Sequence, residues 1–452
     1  MRRIISLVAA AAVLVSTVGV ATAGAQGNGR PGVTKTEIRV GGLASPVSAL
    51  NVPYVDGFDG VQAYFDQVNK QGGVFGKKLK LVAQLDDQGA PSGNIRAIRS
   101  LVEEKKVFAV MPMMSNSFAG ASYLADNNIP TFGINVDAGW CGTTTEHAAV
   151  EAAVKAGDLT AQCPRPSLFG EKGSFLCFTC PGIAPAFIAR QKGLTKGAIF
   201  TYTHPSSTRC AEGTEFSFEK YGIDLVFADK SLEFGFTDVS SDIQAMKDTG
   251  VEFVATCMDF GGAFKISQGL KQAGVDDVVF YAPEGYRQET IDKFGDQLNG
   301  WVFGLSWWPW QEKRGMPKTV KQYLAAMEKR GVLPSEQSQA GWLNAMLLVE
   351  GLERAGEDFT QASLIETING ITDWDSQGMR PDIDWTQDGH GAGREACAAY
   401  VEAIDGKFVP QFGKPGQPFI CFPENPLPDN LDSPWYKPLK PGEPDPADAL
   451  TP

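Results

Sequence analysis

From Lys35 onward the chain alternates short β-rich runs with apolar stripes at helical spacing, and it does so in two separate series. Ile38 to Leu43 is the first β-rich run, and Phe58, Val61, Phe65 and Val68 then recur at the period of a helix, ended by Gly72-Gly73. Leu79, Leu81, Ala83 and Leu85 alternate as in a strand. Ile95, Ile98, Leu101 and Val102 form the next helical stripe. A strand from Val107 to Val110, a Ser/Asn turn and a helix reaching Asn127 follow. Such alternation predicts an α/β fold, a parallel sheet covered by helices on both faces with right-handed crossovers.

The pattern pauses between Gly139 and Pro166, a stretch of small and polar residues that reads as an insertion loop stapled by a disulfide. The second series begins near Arg190. Its strands are expected at Ala198–Tyr202, Leu225–Ala228, Val251–Thr256, Val278–Tyr281 and Trp301–Leu305, with helices near Ser207–Tyr221, Val239–Thr249 and Phe264–Ala273. Two series imply two lobes, each with its own core. Pro317 to Gly356 reads as mostly helical, with Tyr323, Leu324 and Met327 on one face. Ala396–Ile404 and Lys407–Phe412 read as a closing hairpin, and residues 423–452 as a proline-rich, extended or disordered tail.

Arg2 and Arg3, the apolar run Ile4 to Val20 and the small residues Ala21-Thr22-Ala23 fit a secretory signal peptide spanning residues 1–25. A membrane anchor is the rival reading, but the flank is Gly-rich and uncharged until Arg30. No cysteine precedes Cys141, which argues against a lipid-anchored N-terminus, and no other segment is long and apolar enough to span a bilayer. The expectation is a secreted, soluble, periplasmic or extracellular protein. Loss of the two arginines with that segment takes the formal charge from −13 to −15, which disfavours nucleic acid as a partner.

An even number of cysteines in an oxidising compartment reads as disulfides. Cys210 with Cys257 and Cys397 with Cys421 are the pairs expected from proximity. Cys141–Cys163 and Cys177–Cys180 complete the set, although crossed pairings among those four satisfy the same count. Cys177-x-x-Cys180 has metal-ligand spacing, but it lacks a second pair, and the histidines are only His147, His204 and His390. No metal and no cofactor are expected. Neither a Walker loop, a G-x-S-x-G elbow nor an H-E-x-x-H pair occurs, so no catalytic residue is assigned and an enzyme is not expected.

Asn69-Lys70-Gln71-Gly72-Gly73-Val74-Phe75-Gly76, closing the segment that starts at Gly60, resembles the N-x-x-G-G-(I/V)-x-G segment of the leucine/isoleucine/valine-binding family. These are type I extracellular solute-binding proteins of ABC transporters. The likeness continues in order. Lys80–Asp87 resembles the family's second strand with paired acids, and Ala97–Val107 its Leu-Val-rich helix. Val110–Phe132 is similar to the strand, Ser-rich turn, helix and "I-P" strand that follow. Tyr281-Ala282-Pro283-Glu284-Gly285 resembles its "G-P-E-G" loop. The likeness covers about Lys35 to Phe412, with Cys141–Pro166 as the main departure.

The resemblance implies the type I periplasmic binding protein fold: two doubly wound parallel-sheet lobes joined by three crossover strands, placed near Lys172–Cys180, Ser306–Gln311 and Thr372–Asp384. The lobes would comprise residues 34–176 plus 309–380 and 181–305 plus 385–422. It further implies a monomer that closes by a hinge on a small polar solute, an amino acid or a related amide or carboxylate, and presents it to a membrane permease. A ligand-sensing receptor domain, or a binder of aromatic or apolar carboxylates, would use the same architecture.

Ser115-Asn116-Ser117 stands where the family's Ser-rich turn holds a ligand carboxylate, because hydroxyls and N–H groups at a helix N-terminus favour an anion. An ordinary N-cap uses the same residue types. Asn135, with Asp137, matches a second contacting turn. Glu284 matches the acid that receives a ligand ammonium, the alternative being an exposed loop acid. Tyr54, Tyr202, His204, Ser207, Asp259 and Phe260 follow strands where the family lines its cleft, and each could equally pack or cap. Trp307-Trp308-Pro309-Trp310 adjoins an expected crossing, either stacking on a flat ligand or serving as core.

Overall fold

The computed structural model describes residues 30–45, 52–156, 158, 160–170, 183–387, 389–391 and 396–422. The expected signal segment, the expected tail, the expected Lys172–Cys180 crossing and the pair Cys177 and Cys180 lie outside them.

The first lobe alternates as its sequence pattern requires: β1 (Glu37–Ala44), α1 (Asp56–Lys70), β2 (Lys78–Leu85), α2 (Pro91–Arg99), β3 (Ala109–Met114), α3 (Ala121–Asp126), β4 (Thr131–Gly133), α4 (Thr144–Lys155) and β5 (Leu168–Gly170). The strands form one parallel sheet in the order β2-β1-β3-β4-β5. Central β3 is buried on both faces throughout, as expected of a strand covered by helices on two sides. It begins two residues later than the expected strand and runs on through Pro112, where its ladders shift register. Ile95 of the expected apolar stripe faces solvent at 40% exposure. The stretch read as an insertion loop carries the whole helix α4, held to its flank by the Cys141–Cys163 disulfide. Its alanines, which read as loop filler, are good helix formers.

The second lobe comprises α5 (Ile183–Gln191), β6 (Lys196–Tyr202), α6 (Pro205–Tyr221), β7 (Asp224–Leu232), α7 (Ser240–Thr249), β8 (Phe253–Cys257), α8 (Phe260–Gln272), β9 (Val279–Ala282), α9 (Gln288–Phe294) and β10 (Trp301–Leu305). Three helices follow, α10 (Lys318–Arg330), α11 (Glu336–Ala355) and α12 (Gln361–Asn369), and then β11 (Ala396–Ile404), β12 (Lys407–Gln411) and β13 (Ile420–Phe422). The sheet order is β12-β11-β10-β9-β8-β6-β7, with β13 beside β11. Strands β6 to β10 run parallel, whereas β11 is antiparallel to β10, so this lobe is a mixed sheet and not purely parallel. Cys210 and Cys257 are bonded across α6 and β8. Cys397 is also disulfide-bonded, and Cys421 stands opposite it in the β11–β13 ladder.

The chain passes between the sheets three times, from β5 to α5, from β10 to α10 and from α12 to β11. Neither described crossing is a regular strand. Residues 306–311 are bends and turns, and 372–384 hold a single Trp374–Ile383 bridge around a short 3-10 turn. One bond, from Trp308 N to Met379 O at 2.7 Å, ties the two together. Trp308 and Trp310 are buried, the latter stacked on Tyr286 at 4.2 Å, so this pair belongs to the core.

The helices after β10 return to the first lobe. α11 is buried along nearly its whole length and lies against α1 with almost no separation. A Cβ at Gly60 would stand 1.8 Å from the Ser338 carbonyl oxygen, and one at Gly341 only 2.1 Å from the Gly57 carbonyl oxygen. Elsewhere Ala in place of a helical Gly stabilises. Here the obstacle is backbone, which cannot swing aside, so Gly60→Ala is expected to lower unfolding free energy by about 3 kcal/mol, measurable by urea denaturation.

His390 is buried against Phe169 and Trp385, with ring centroids at 5.7 and 5.9 Å, and bonds Asn369 Oδ1 through Nε2 at 2.8 Å. Burial pushes its pKa down to about 4 from the usual 6.5. The unfolded chain therefore binds a proton between those values that the folded chain refuses. Stability from this group is complete above pH 6.5 and is lost as pH falls toward 4, about 3 kcal/mol in all. The slope of thermal stability over that window should flatten in His390→Gln.

Candidate ligand-binding site

Segments that follow β1, β4, β8, β9 and β10 meet at a gap between the two sheets, at strand ends where open α/β sheets place ligands. From the first lobe come Val52 and Pro53 after β1 and the N-terminus of α11, Glu336 and Gln337. From the second come Phe260, Gly261 and Phe264 of α8, the loop residues Glu284, Gly285 and Arg287 after β9, and Glu289, Thr290, Lys293 and Phe294 of α9. They enclose about 390 Å³, within the size range of small-molecule sites. A smaller chamber of about 40 Å³ shares Glu284, Glu336 and Gln337, and is closed by Tyr54, Ile134, Val136, Pro283, Gly304, Ser306 and Trp307.

Each wall has a local cause. Gly285 has φ +117°, and a Cβ there would meet Phe260 at 2.7 Å, so only glycine lets the loop turn beneath that ring. Phe260, Phe264 and Phe294 form an apolar wall, with Phe264–Phe294 centroids at 4.5 Å. Glu336 and Gln337 open α11, whose N-terminus is fixed by reciprocal Ser335–Ser338 bonds of 3.1 Å.

Three polar contacts cross the gap. Arg287 Nη2 donates to Asp56 Oδ2 at 3.2 Å, joining the second lobe to the first turn of α1, and also to Glu289 Oε2 at 3.2 Å. Tyr286 N donates to Glu336 Oε1 at 2.8 Å. Gln288 N donates to the Pro334 carbonyl at 3.4 Å. Burial raises the Asp56 pKa, and Arg287 only partly opposes it, so desolvation takes back part of what the ion pair contributes.

The residues singled out from sequence divide into groups. Tyr54, Phe260 and Glu284 line the gap. Asn116 is joined to it through Tyr54, whose hydroxyl donates to Asn116 Oδ1 at 2.7 Å. Asp259 lies just behind the wall as the N-cap of α8, accepting from Gly261 N at 2.9 Å and Gly262 N at 3.3 Å and from the Tyr202 hydroxyl. Burial raises the Asp259 pKa against these bonds. Burial and the Asp259 bond push Tyr202 up.

The other six do not line it. Ser115 is buried and donates to Asp87, which also accepts from Ser45 at 2.5 Å and Asn94 at 3.2 Å. Ser117 N donates to Ser115 Oγ at 3.2 Å. The helix beyond them starts only at Ala121, so residues 115–117 do not stand at its N-terminus and its dipole does not act there. Asn135 is buried against Gly170, where an added Cβ would meet it at 2.5 Å, and Asp137 caps a turn through Gly139 N at 2.7 Å. His204 and Ser207 open α6, the His204 ring lying 6.0 Å from Phe234.

Sequence reasoning missed Arg287, Glu336 and Gln337. Arg287 stands three residues beyond Glu284 in the same loop, a signal that could have been followed. Nothing local marks Glu336 or Gln337, which reach the gap by helix packing. Among the described residues, no cluster of His, Cys, Asp and Glu could hold a metal ion, and no helix is long and apolar enough to cross a membrane.

A family model described as periplasmic binding protein matches residues 37–407. No curated protein matches the sequence significantly. Among solved structures, a fatty acid ABC transporter substrate-binding protein from Thermomonospora curvata is similar at TM-score 0.66 and 15% identity, over 89% of this chain and 96% of that one. A solute-binding protein of an ABC transporter from R. palustris, in complex with benzoate, gives TM-score 0.65 and 15% identity over 87% and 100%. A leucine-binding protein from Thermotoga maritima gives 0.62 and 17% over 83% and 97%. At these identities the likeness speaks for the fold.

The bonds across the gap hold the two sides together. Replacing Arg287 by Met removes the Asp56 pair, whose side chains are each about one-fifth exposed. The closed-to-open ratio should fall about tenfold, the lower end for a charge-assisted bond. A larger radius of gyration in small-angle scattering would report it.

Proposed function

Since this chain belongs to the periplasmic binding protein family, we propose that it is the solute-capturing component of an ABC uptake transporter, closing its two lobes on a small organic molecule. The family places such proteins outside the cytoplasmic membrane. Secretion by cleavage of residues 1–25, a soluble chain without a lipid anchor, a monomeric state and a permease as the partner complete the reading. So do lobes bounded at 34–176 plus 309–380 and 181–305 plus 385–422. No chemistry is assigned to it.

The carrying observation is the gap built from both lobes, with Glu284 at the junction of its two compartments. A ligand there touches both sides at once, so its binding energy depends on closure. Driving a 1:99 closed population to 99:1 takes roughly 10⁴-fold preference for the closed form. A few charge-assisted bonds at about 1.5–3 kcal/mol each supply that. Glu284 favours a ligand with a positive or hydrogen-donating group, in keeping with an amino acid or related amide.

A second reading, an aromatic or apolar ligand body, is favoured by the Phe260, Phe264 and Phe294 wall. Titration calorimetry with amino acids, amides and aromatic acids tests both. One-to-one binding of at least one class is expected, weakened at least tenfold in Glu284→Gln. Silence across the panel from a folded sample would sink the proposal.

A further inference from the structure

Two residues that line the inner chamber carry polar atoms that the protein itself does not satisfy. Trp307 is 5% exposed and Gln337 4% exposed, and both line the chamber. The Trp307 Nε1–H donor and the Gln337 Oε1 acceptor are each buried without a hydrogen-bond partner. Leaving such groups unpaired costs on the order of 1–3 kcal/mol each, and most buried polar groups in native proteins are paired. The neighbouring tryptophan in the same segment shows the contrast: Trp308 Nε1 donates to the Glu312 carbonyl at 2.9 Å.

The charges around these atoms are one-sided. Glu284 and Glu336 line the chamber, and no lysine, arginine or histidine does. A bare carboxylate placed there would meet two acids and only neutral donors, the Trp307 N–H and the Ser306 hydroxyl among them. An amine would pair with the acids but leave the Trp307 N–H unsatisfied. A group with a neutral carbonyl and N–H donors on one carbon satisfies the whole set. At about 40 Å³, the chamber has room for a few heavy atoms. The apolar wall of Phe260, Phe264 and Phe294 in the larger compartment then faces whatever that group is attached to.

We propose that Trp307 and Gln337 are specificity residues that select a carboxamide head group, its carbonyl accepting from Trp307 Nε1 and its N–H donating to Gln337 Oε1 and Glu284, on an aromatic or apolar body. The proposal rests on the cleft being the ligand site, and it goes further by rejecting carboxylate heads. Sites built to hydrogen-bond a substrate group discriminate strongly against analogues that lack it, because the buried partners are then left unpaired.

Benzamide and benzoate differ only in the head and serve as probes in titration calorimetry on the full mature chain. Benzamide should bind at least tenfold more tightly than benzoate. Gln337→Met, which keeps side-chain bulk, and Trp307→Phe, which keeps an aromatic ring without the N–H, should each reduce that ratio at least threefold while the thermal midpoint stays within a few degrees. An unchanged ratio in both variants overturns the assignment, as does benzoate binding equal to or tighter than benzamide, or neither probe binding. A carboxylate-headed molecule co-purifying in native mass spectrometry also overturns it, and in that case ligand capture in the cleft still stands. Only the failure of every ligand class to bind the folded protein reaches the underlying reading.

Discussion

The close approach of α1 and α11 is the contact on which the site depends. Gly60 and Gly341 remove the side chains that would hold the two backbones apart. A helix that emerges after the second lobe's last parallel strand is thereby locked into the first lobe. Its N-terminus then brings Glu336 and Gln337 to the gap, beside Asp56 at the start of α1. Two helices far apart in sequence become one rigid wall. Nothing softer would hold carboxylates in place there, since a desolvated acid gains by moving back toward water.

Against that wall the second lobe presents a loop and two helix starts. The Pro283–Arg287 turn carries the contacts that reach across, with the Arg287 guanidinium directed at Asp56 and the Tyr286 N–H at Glu336. Tyr286 is itself clamped, stacking on Trp310 and bonding Gln311 and the Trp310 backbone at 2.6 Å each. The tryptophan-rich crossing therefore supports the loop from behind, and Trp307 alone of its three tryptophans lines the gap. The raised Asp56 pKa marks the cross-gap pair as a modest fastener, suited to a joint that must also open.

Much of the architecture was legible because it rests on local pattern. The helical stripe Phe58, Val61, Phe65 and Val68 is buried on α1 as its period requires, and the expected limits of Trp301–Leu305 coincide with β10. The Pro283-Glu284-Gly285 segment pointed to a residue that lines the gap. Ser115 and Ser117 lie off this gap for a physical reason. Serines before a helix read as caps or anion sites, yet α3 starts beyond them, and Ser115 is drawn into the Asp87 network by a bond reaching 28 residues back. The mixed edge of the second sheet was likewise hidden, since a hairpin pattern does not say beside which strand it will lie.

The order of strands and helices and the acid of the β9–α9 loop were determined by the chain's sequence alone, because each depends on side-chain type and spacing within a short window. Which residues meet in the gap was decided only by tertiary structure. Asp56, Trp307 and Gln337 lie hundreds of positions apart at the extremes, and no periodicity relates them. Their proximity arises from helix packing and from chain crossings between the lobes, and a burial-driven contact of that kind leaves no local trace in the sequence.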